Sequence, residues 1–133
     1  MNGYYRKLEI LKNYNNLCKH IDDLACDYGE LLTKATRTAQ VLRDDVGSSG
    51  HDNHSKVESF SVLLEEKKKR LEKAIEKRNG IDKALKKLGP RGEYLIRSVD
   101  INGSRLTKVS RDLGYEYIYA TKLRKKLIER LGI

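Results

Sequence analysis

Tryptophan is absent from this 133-residue chain, phenylalanine, methionine and proline occur once each, and there are only two cysteines. Each scarcity excludes something. With 35% charged residues beside 38% hydrophobic ones, the chain is too charged for a large compact core and too apolar for full disorder. Long amphipathic helices fit that balance. No apolar run approaches the roughly 20 residues needed to cross a bilayer. The opening Met1-Asn-Gly-Tyr-Tyr-Arg-Lys7 is not followed by the apolar stretch of a signal peptide. A soluble, cytoplasmic protein with no membrane partner is expected. Cys18 and Cys26 lie eight residues apart on one expected helix, about 12 Å at 1.5 Å per residue, too far to pair within it. With only His20 nearby they make no zinc set, and free thiols are expected.

Positive charge, by contrast, is abundant. Lys and Arg number 28 against 19 Asp and Glu, a formal +9, which suits a polyanionic partner whose counterions are released on binding. The excess is not uniform. Residues 1–55 hold 7 basic and 8 acidic side chains, residues 56–88 hold 11 and 6, and residues 89–133 hold 10 and 5.

In the first segment Ile10, Tyr14, Leu17, Ile21, Leu24, Tyr28, Leu31, Ala35, Thr38 and Leu42 alternate spacings of four and three, a heptad seam with one polar member. The next residues, Leu11, Cys18, Ala25, Leu32 and Ala39, widen the stripe beyond what a two-stranded coil uses. Val46-Gly-Ser-Ser-Gly-His-Asp-Asn-His-Ser55 then has loop chemistry. Its His51, Asp52 and His54 are expected to be exposed loop residues rather than metal ligands. From an N-cap at Ser55, with Glu58 three residues on, Val57, Phe60, Leu64, Lys67, Leu71, Ala74, Arg78, Ile81, Leu85 and Leu88 form a second seam. The run Glu65-Glu-Lys-Lys-Lys-Arg70 fits a solvated face with i,i+4 pairs. Gly89-Pro90 stops this helix, glycine suiting a C-terminal cap and proline being unable to continue the ladder. The expected fold is all-α: a long antiparallel helical hairpin about 50 Å in length over residues 1–89, then a small three-helix domain over residues 90–133.

That C-terminal module has its own punctuation. Helices are expected from Gly92 to Ile101, Leu106 to Leu113 and Glu116 to Leu131, separated at Asn102-Gly103 and Gly114. Leu106, Val109, Leu113, Ala120, Leu123, Leu127, Ile128 and Leu131 supply the interior, with Leu95, Ile96 and Val99 from the first helix. Two helices joined by a short glycine-containing turn is the helix-turn-helix pattern. Its second helix presents Tyr117, Ile118, Thr121, Lys122 and Lys125 on the face away from that interior. There lysine can donate to guanine edges, and threonine or apolar groups can touch thymine methyls. Arg105, Arg124 and Lys126 lie to the flanks and suit phosphates. Of Tyr115, Tyr117 and Tyr119, one or two are expected to rest on the preceding helix; the alternative role is hydroxyl contact to phosphate.

The stretch Ile101-Asn-Gly-Ser-Arg-Leu-Thr-Lys-Val-Ser-Arg-Asp-Leu-Gly-Tyr115 and its continuation to Leu131 resemble the region-4 helix-turn-helix of sigma factors. Preceded by a long helical hairpin, the module is similar to phage transcriptional regulators of the ArpU/RinA type, which activate late or packaging genes. The match lies at Ile101, Gly103, Val109, Leu113, Gly114, Tyr115, Leu123 and Leu131. The chain departs from that family's pattern at Glu116, where a small Ser-type cap is usual, and at Ile118 and Tyr119, where polar base readers are usual. The resemblance implies a phage-encoded, sigma-like protein working in the cytoplasm of a bacterial host.

Catalysis is not expected: there is no glycine-rich phosphate loop, no His/Cys/Asp constellation at ligand spacing, and no length left to enclose a substrate. No cofactor or metal is expected. The leading expectation is a DNA-binding transcriptional regulator that reads duplex DNA with the last helix and assembles as a homodimer through Leu11, Leu17, Ile21, Leu24 and Leu32 on the wide stripe. The alternative is an adaptor that docks on RNA polymerase or another transcription protein through the C-terminal module without reading DNA.

Overall fold

The computed structural model describes residues 2–44 and 50–133; side chains at positions 2, 39 and 41–57 lie outside that description. The helices are α1 (Asn2–Lys12), α2 (Tyr14–Asp44), α3 (Gly50–Lys86), α4 (Pro90–Ile96), a π-helical turn (Arg97–Ile101), α5 (Leu106–Leu113) and α6 (Tyr117–Arg130). Among the described residues there is no strand, and no helix long and apolar enough to cross a membrane. The fold is all-α, as the sequence pattern predicts.

Two helix boundaries differ from the sequence reading. The first long helix is divided at Asn13, in a run with Asn15 and Asn16, a residue type whose side chain competes with the helical ladder. Hydrogen bonding still bridges the division, since Asn13 N–H donates to the Glu9 carbonyl at 3.0 Å and its carbonyl accepts from Leu17 N–H at 2.9 Å. The second long helix begins at Gly50, so the expected cap at Ser55 is not its start. No proline between 50 and 55 prevents the earlier turns from forming. The side chains of His51, Asp52 and His54 lie outside the described residues. The stop at Gly89-Pro90 is present: Gly89 adopts φ +86°, and Pro90 opens α4, the position where its missing N–H costs least.

The chain forms two compact units. One, here the terminal unit, joins Met1–Cys18 to Glu76–Ile133; the other, the middle unit, is Lys19–Ile75. These bounds do not follow the expected division at residues 89 and 90. The reason is the core of the terminal unit, where Leu95, Ile96, Ile101, Val109, Leu127, Ile128 and Leu131 of the C-terminal module pack with Leu11 from α1 and Ile81, Ala84 and Leu85 from the end of α3. All eleven residues expected inside the module are buried or half-buried. Three short helices nevertheless do not close the core alone. Gly92 marks how closely α4 approaches its neighbours, because a Cβ there would lie 3.1 Å from Leu88 Cβ and 3.3 Å from Leu127 Cδ1.

Polar contacts tie the same segments together. Tyr14 donates to Asp82 Oδ1 at 2.5 Å, and Arg97 reaches Asp82 at 3.0 Å and Glu93 at 2.9 Å. The Arg97 guanidinium lies 5.6 Å from the centre of the Tyr14 ring, within cation–π range. Burial opposes the charge on Arg97, but its bonds to Tyr14, Asp82 and Glu93 prevail and raise its pKa. Burial likewise pushes Asp82 upward, while the bonds from Tyr14 and Arg97 bring its carboxyl below the ordinary value. Asn15 donates to the Ile101 carbonyl at 3.2 Å, holding α2 to the π-helical turn.

In the middle unit, burial follows the two heptad seams. Ile21 and Leu24 are buried, and Tyr28, Leu31, Ala35 and Thr38 on α2 and Phe60, Leu64, Lys67, Leu71 and Ala74 on α3 are half-buried. Lys67 Nζ lies 3.9 Å from Asp27 Oδ2. The widening row behaves differently at each step: Leu11 is in the core of the terminal unit, Cys18 is half-buried, and Ala25 and Leu32 are exposed. Both cysteines are free thiols.

Candidate nucleic-acid interface

The turn between α5 and α6 is built by local backbone chemistry. Gly114 takes the left-handed conformation at φ +73°. Its N–H donates to the Arg111 carbonyl at 3.0 Å, while Tyr115 N–H donates to Ser110 at 2.8 Å. This pair of bonds is the Schellman arrangement, which satisfies the last carbonyls of α5 and redirects the chain. Glu116 then takes an extended conformation at the N-cap of α6 with no side-chain capping bond, its carbonyl accepting from Ala120 at 2.9 Å. The helix therefore starts without the Ser-type cap, and the Glu116 carboxylate stands exposed beside its positive end, where negative charge is favourable.

Periodicity then sorts the side chains of α6. Ala120, Leu127 and Ile128 are buried, and Leu123 is half-buried. Tyr117, Ile118, Thr121, Lys122, Lys125 and Lys126 are exposed, with Ile118 at 67% the most open large apolar residue of the helix. The five expected groove-facing residues are thus together on the solvent side. Thr121 donates its hydroxyl back to the Tyr117 carbonyl at 2.8 Å, which leaves its methyl as the outward feature. Arg105, at the extended N-cap of α5, is exposed as well.

Arg124 is a correction. It turns inward and pairs with Asp100 of the π-helical turn, Nε lying 3.0 Å from Oδ2 and 3.2 Å from Oδ1, with a second bond from its terminal amino group to Oδ1. Asp100 is only 8% exposed. Those bonds hold the Arg124 pKa above its ordinary value against the opposing effect of burial. A bidentate guanidinium–carboxylate pair of this kind fixes the side chain in one geometry, so Arg124 positions α6 against the π-helical turn, and its Nε and Nη2 are engaged with Asp100 rather than turned to the flank as expected.

The three tyrosines differ in burial, and among the described residues their ring contacts are with α4 and α6 rather than with the preceding helix α5. Tyr115 is half-buried, with its ring edge-on to Tyr119 at 5.1 Å and Arg91 5.8 Å from its centre. Tyr94 donates to Asp112 at 3.3 Å, linking α4 to α5. Tyr117 and Tyr119 are each 53% exposed.

Helix α1 had no expected part in this region, yet it packs against α6. Lys7 Nζ donates to the Glu129 carbonyl at 2.9 Å and Arg6 to the Ile133 carbonyl at 2.8 Å. The signal was present in Tyr4, Leu8 and Leu11, at i, i+4 and i+7, all packed on the core and only Leu11 adjoining the seam. Its consequence for the expected dimer residues is direct. Leu11 is 0% exposed, and Ile21 and Leu24 are 4% and 9% exposed in the single chain, so these three are covered without a partner. Leu17 is half-buried and packs on the terminal core; Leu32 alone of the five is open, at 45%.

Among the described residues no group of three His, Cys, Asp or Glu side chains could hold a metal ion. No protein-family model, curated protein or solved structure gives a significant match to the chain.

Proposed function

We propose that the chain is a DNA-binding transcriptional regulator that places α6 in the major groove of duplex DNA. The observation that carries this reading is the solvent-facing side of α6, where Ile118, Thr121, Lys122 and Lys125 stand exposed on a helix fixed from behind by the core and by Asp100–Arg124. Lysines there can donate to base edges, and the Thr121 methyl and Ile118 can meet thymine methyls. Exposed Arg105 and Lys126 supply phosphate contacts. The resemblance to phage regulators of the ArpU/RinA type agrees with this reading. Selection of bound duplexes from a random library tests it: enrichment of a motif is expected, and Lys122→Ala with Lys125→Ala is expected to abolish the enrichment while leaving the fold unchanged. A library that emerges unenriched would reject base reading.

Within this reading the middle unit is an antiparallel helical hairpin that pairs two protomers, so that two modules engage paired half-sites. Leu32, Val62 and Leu63, exposed at 45%, 59% and 44%, support a second copy there. Sedimentation at micromolar concentration showing only monomer would overturn the pairing.

The second reading is an adaptor docking on RNA polymerase, favoured by the exposed apolar surface of Tyr117, Ile118 and Tyr119 on the first turn of α6. Salt separates the two, because phosphate contacts make DNA affinity fall steeply with ionic strength, whereas an apolar protein contact lacks that dependence.

A further inference from the structure

We infer that a second phosphate-binding surface lies where the end of α3 meets the end of α6, and that it holds the DNA backbone beside the groove occupied by α6; this rests on the DNA-binding reading above. A cleft of about 410 Å³ is lined there by Lys83 and Lys87 from α3 and its extension and by Arg130 from α6, over a floor that includes Ala84, Leu88 and Leu127. All three cations are exposed, no carboxylate side chain lines the cleft, and none of the three has an ion-pair partner among the described residues. A basic residue in the last turn favours the negative end of a helix, which accounts for one cation on each helix. It does not account for Lys83 and Lys87 together, since like charges at i,i+4 repel and a third cation converges from another part of the chain.

The cleft is also continuous with the proposed reading face. Lys122, Lys126 and Arg130 stand at i, i+4 and i+8 on α6, a row that advances about 12 Å along the axis and rotates roughly 40° at each step. Lys122 is on the groove-facing side, Lys126 on the flank, and Arg130 at the cleft. A phosphate strand leaving the groove along this row meets Lys83 and Lys87 next. An extended polyanion matches a track of five cations better than a compact one, and duplex DNA is the polyanion already placed at its start.

The test is a salt titration of binding to a mixed-sequence duplex of about 30 base pairs, for the full chain, Lys83→Gln/Lys87→Gln, Arg130→Gln and the control pair Lys68→Gln/Lys69→Gln. Glutamine keeps the helix propensity of lysine, and circular dichroism checks that each variant is folded. For the full chain, log K is expected to fall steeply with log salt. The slope should become shallower by about 2 for the Lys83/Lys87 pair and about 1 for Arg130→Gln, at roughly 0.9 per phosphate contact. The control pair removes the same charge from exposed positions of the middle unit and should leave the slope unchanged. An unaltered slope in the Lys83/Lys87 pair overturns the inference, as does an equal change in the control pair, while the DNA-binding reading stands in both cases. If the full chain shows no salt-dependent binding, the reading falls and the inference with it.

Discussion

The terminal unit contains 18 basic and 8 acidic residues, whereas the middle unit contains 10 and 11. The whole net charge of the chain is therefore in one of its two compact parts, although α2 and α3 each run through both. The contrast extends to the interior. In the terminal unit, Leu11, Leu85, Leu95, Ile96 and Ile128 are fully buried, and the half-buried Asp82, Glu93, Arg97 and Arg124 are held in hydrogen-bonded groups. In the middle unit, seam residues are mostly half-buried and include Lys67, whose ion pair with Asp27 is a long one at 3.9 Å. Charge concentrated on one body suits recognition of a polyanion, because several neighbouring cations can displace its counterions together. Balanced charge on a seam suits assembly of helices.

Substitutions in the two parts should separate them sharply. The largest effect is expected from Leu11→Ala, which leaves a cavity in the terminal core and should cost about 2–5 kcal/mol in denaturant unfolding. Measured at a concentration where the chain is monomeric, the matching Leu32→Ala, at a position 45% exposed in the single chain, should stay within about 0.5 kcal/mol. Equal effects would erase the contrast and return Leu11 to the dimer stripe. Asp100→Ala comes next, at about 3 kcal/mol, since it strands the partly buried Arg124 cation without its partner; a variant as stable as the parent would show that the pair does not hold α6 in place. A smaller loss is expected at Asp82, whose Asp82→Asn variant should lose about 1 kcal/mol at neutral pH. Because the folded pKa of Asp82 lies below its ordinary 3.8, its stabilisation is complete above that value and is lost as pH falls through the lowered folded value. Acid titration of both proteins should show the stability gap closing below about pH 4, and a gap independent of pH would exclude the ion-pair origin.

Much of this was legible in the residues. The helices of the module, the turn at Gly114 and the stop at Gly89-Pro90 follow from backbone rules that act within a few positions. The side of α6 that faces solvent follows from a period of 3.6. Arg124 shows where such reasoning ends: its position on the helical wheel is a flank, and nothing local records that Asp100, 24 residues earlier, supplies a buried carboxylate. Leu11 shows the same limit, since a leucine in an apolar stripe has identical local chemistry whether it covers a second copy or the C-terminal module of its own chain.

Tryptophan and phenylalanine are scarce, and the core is built mainly from leucine and isoleucine instead. The three short C-terminal helices share that core with Leu11 of α1 and with Ile81, Ala84 and Leu85 of α3, and the fraction of surface buried rises with the length of chain that joins one core. The sequence by itself determined the helical class, the helix-turn-helix punctuation and the solvent face of the last helix, because each depends on periodicity and on residues close in the chain. Only the tertiary structure decided that both ends of the chain share one core, that Arg124 is spent on Asp100, and that Lys83, Lys87 and Arg130 meet at one cleft. Those outcomes depend on contacts between residues tens of positions apart, where the free energy of closing the core outweighs any local preference.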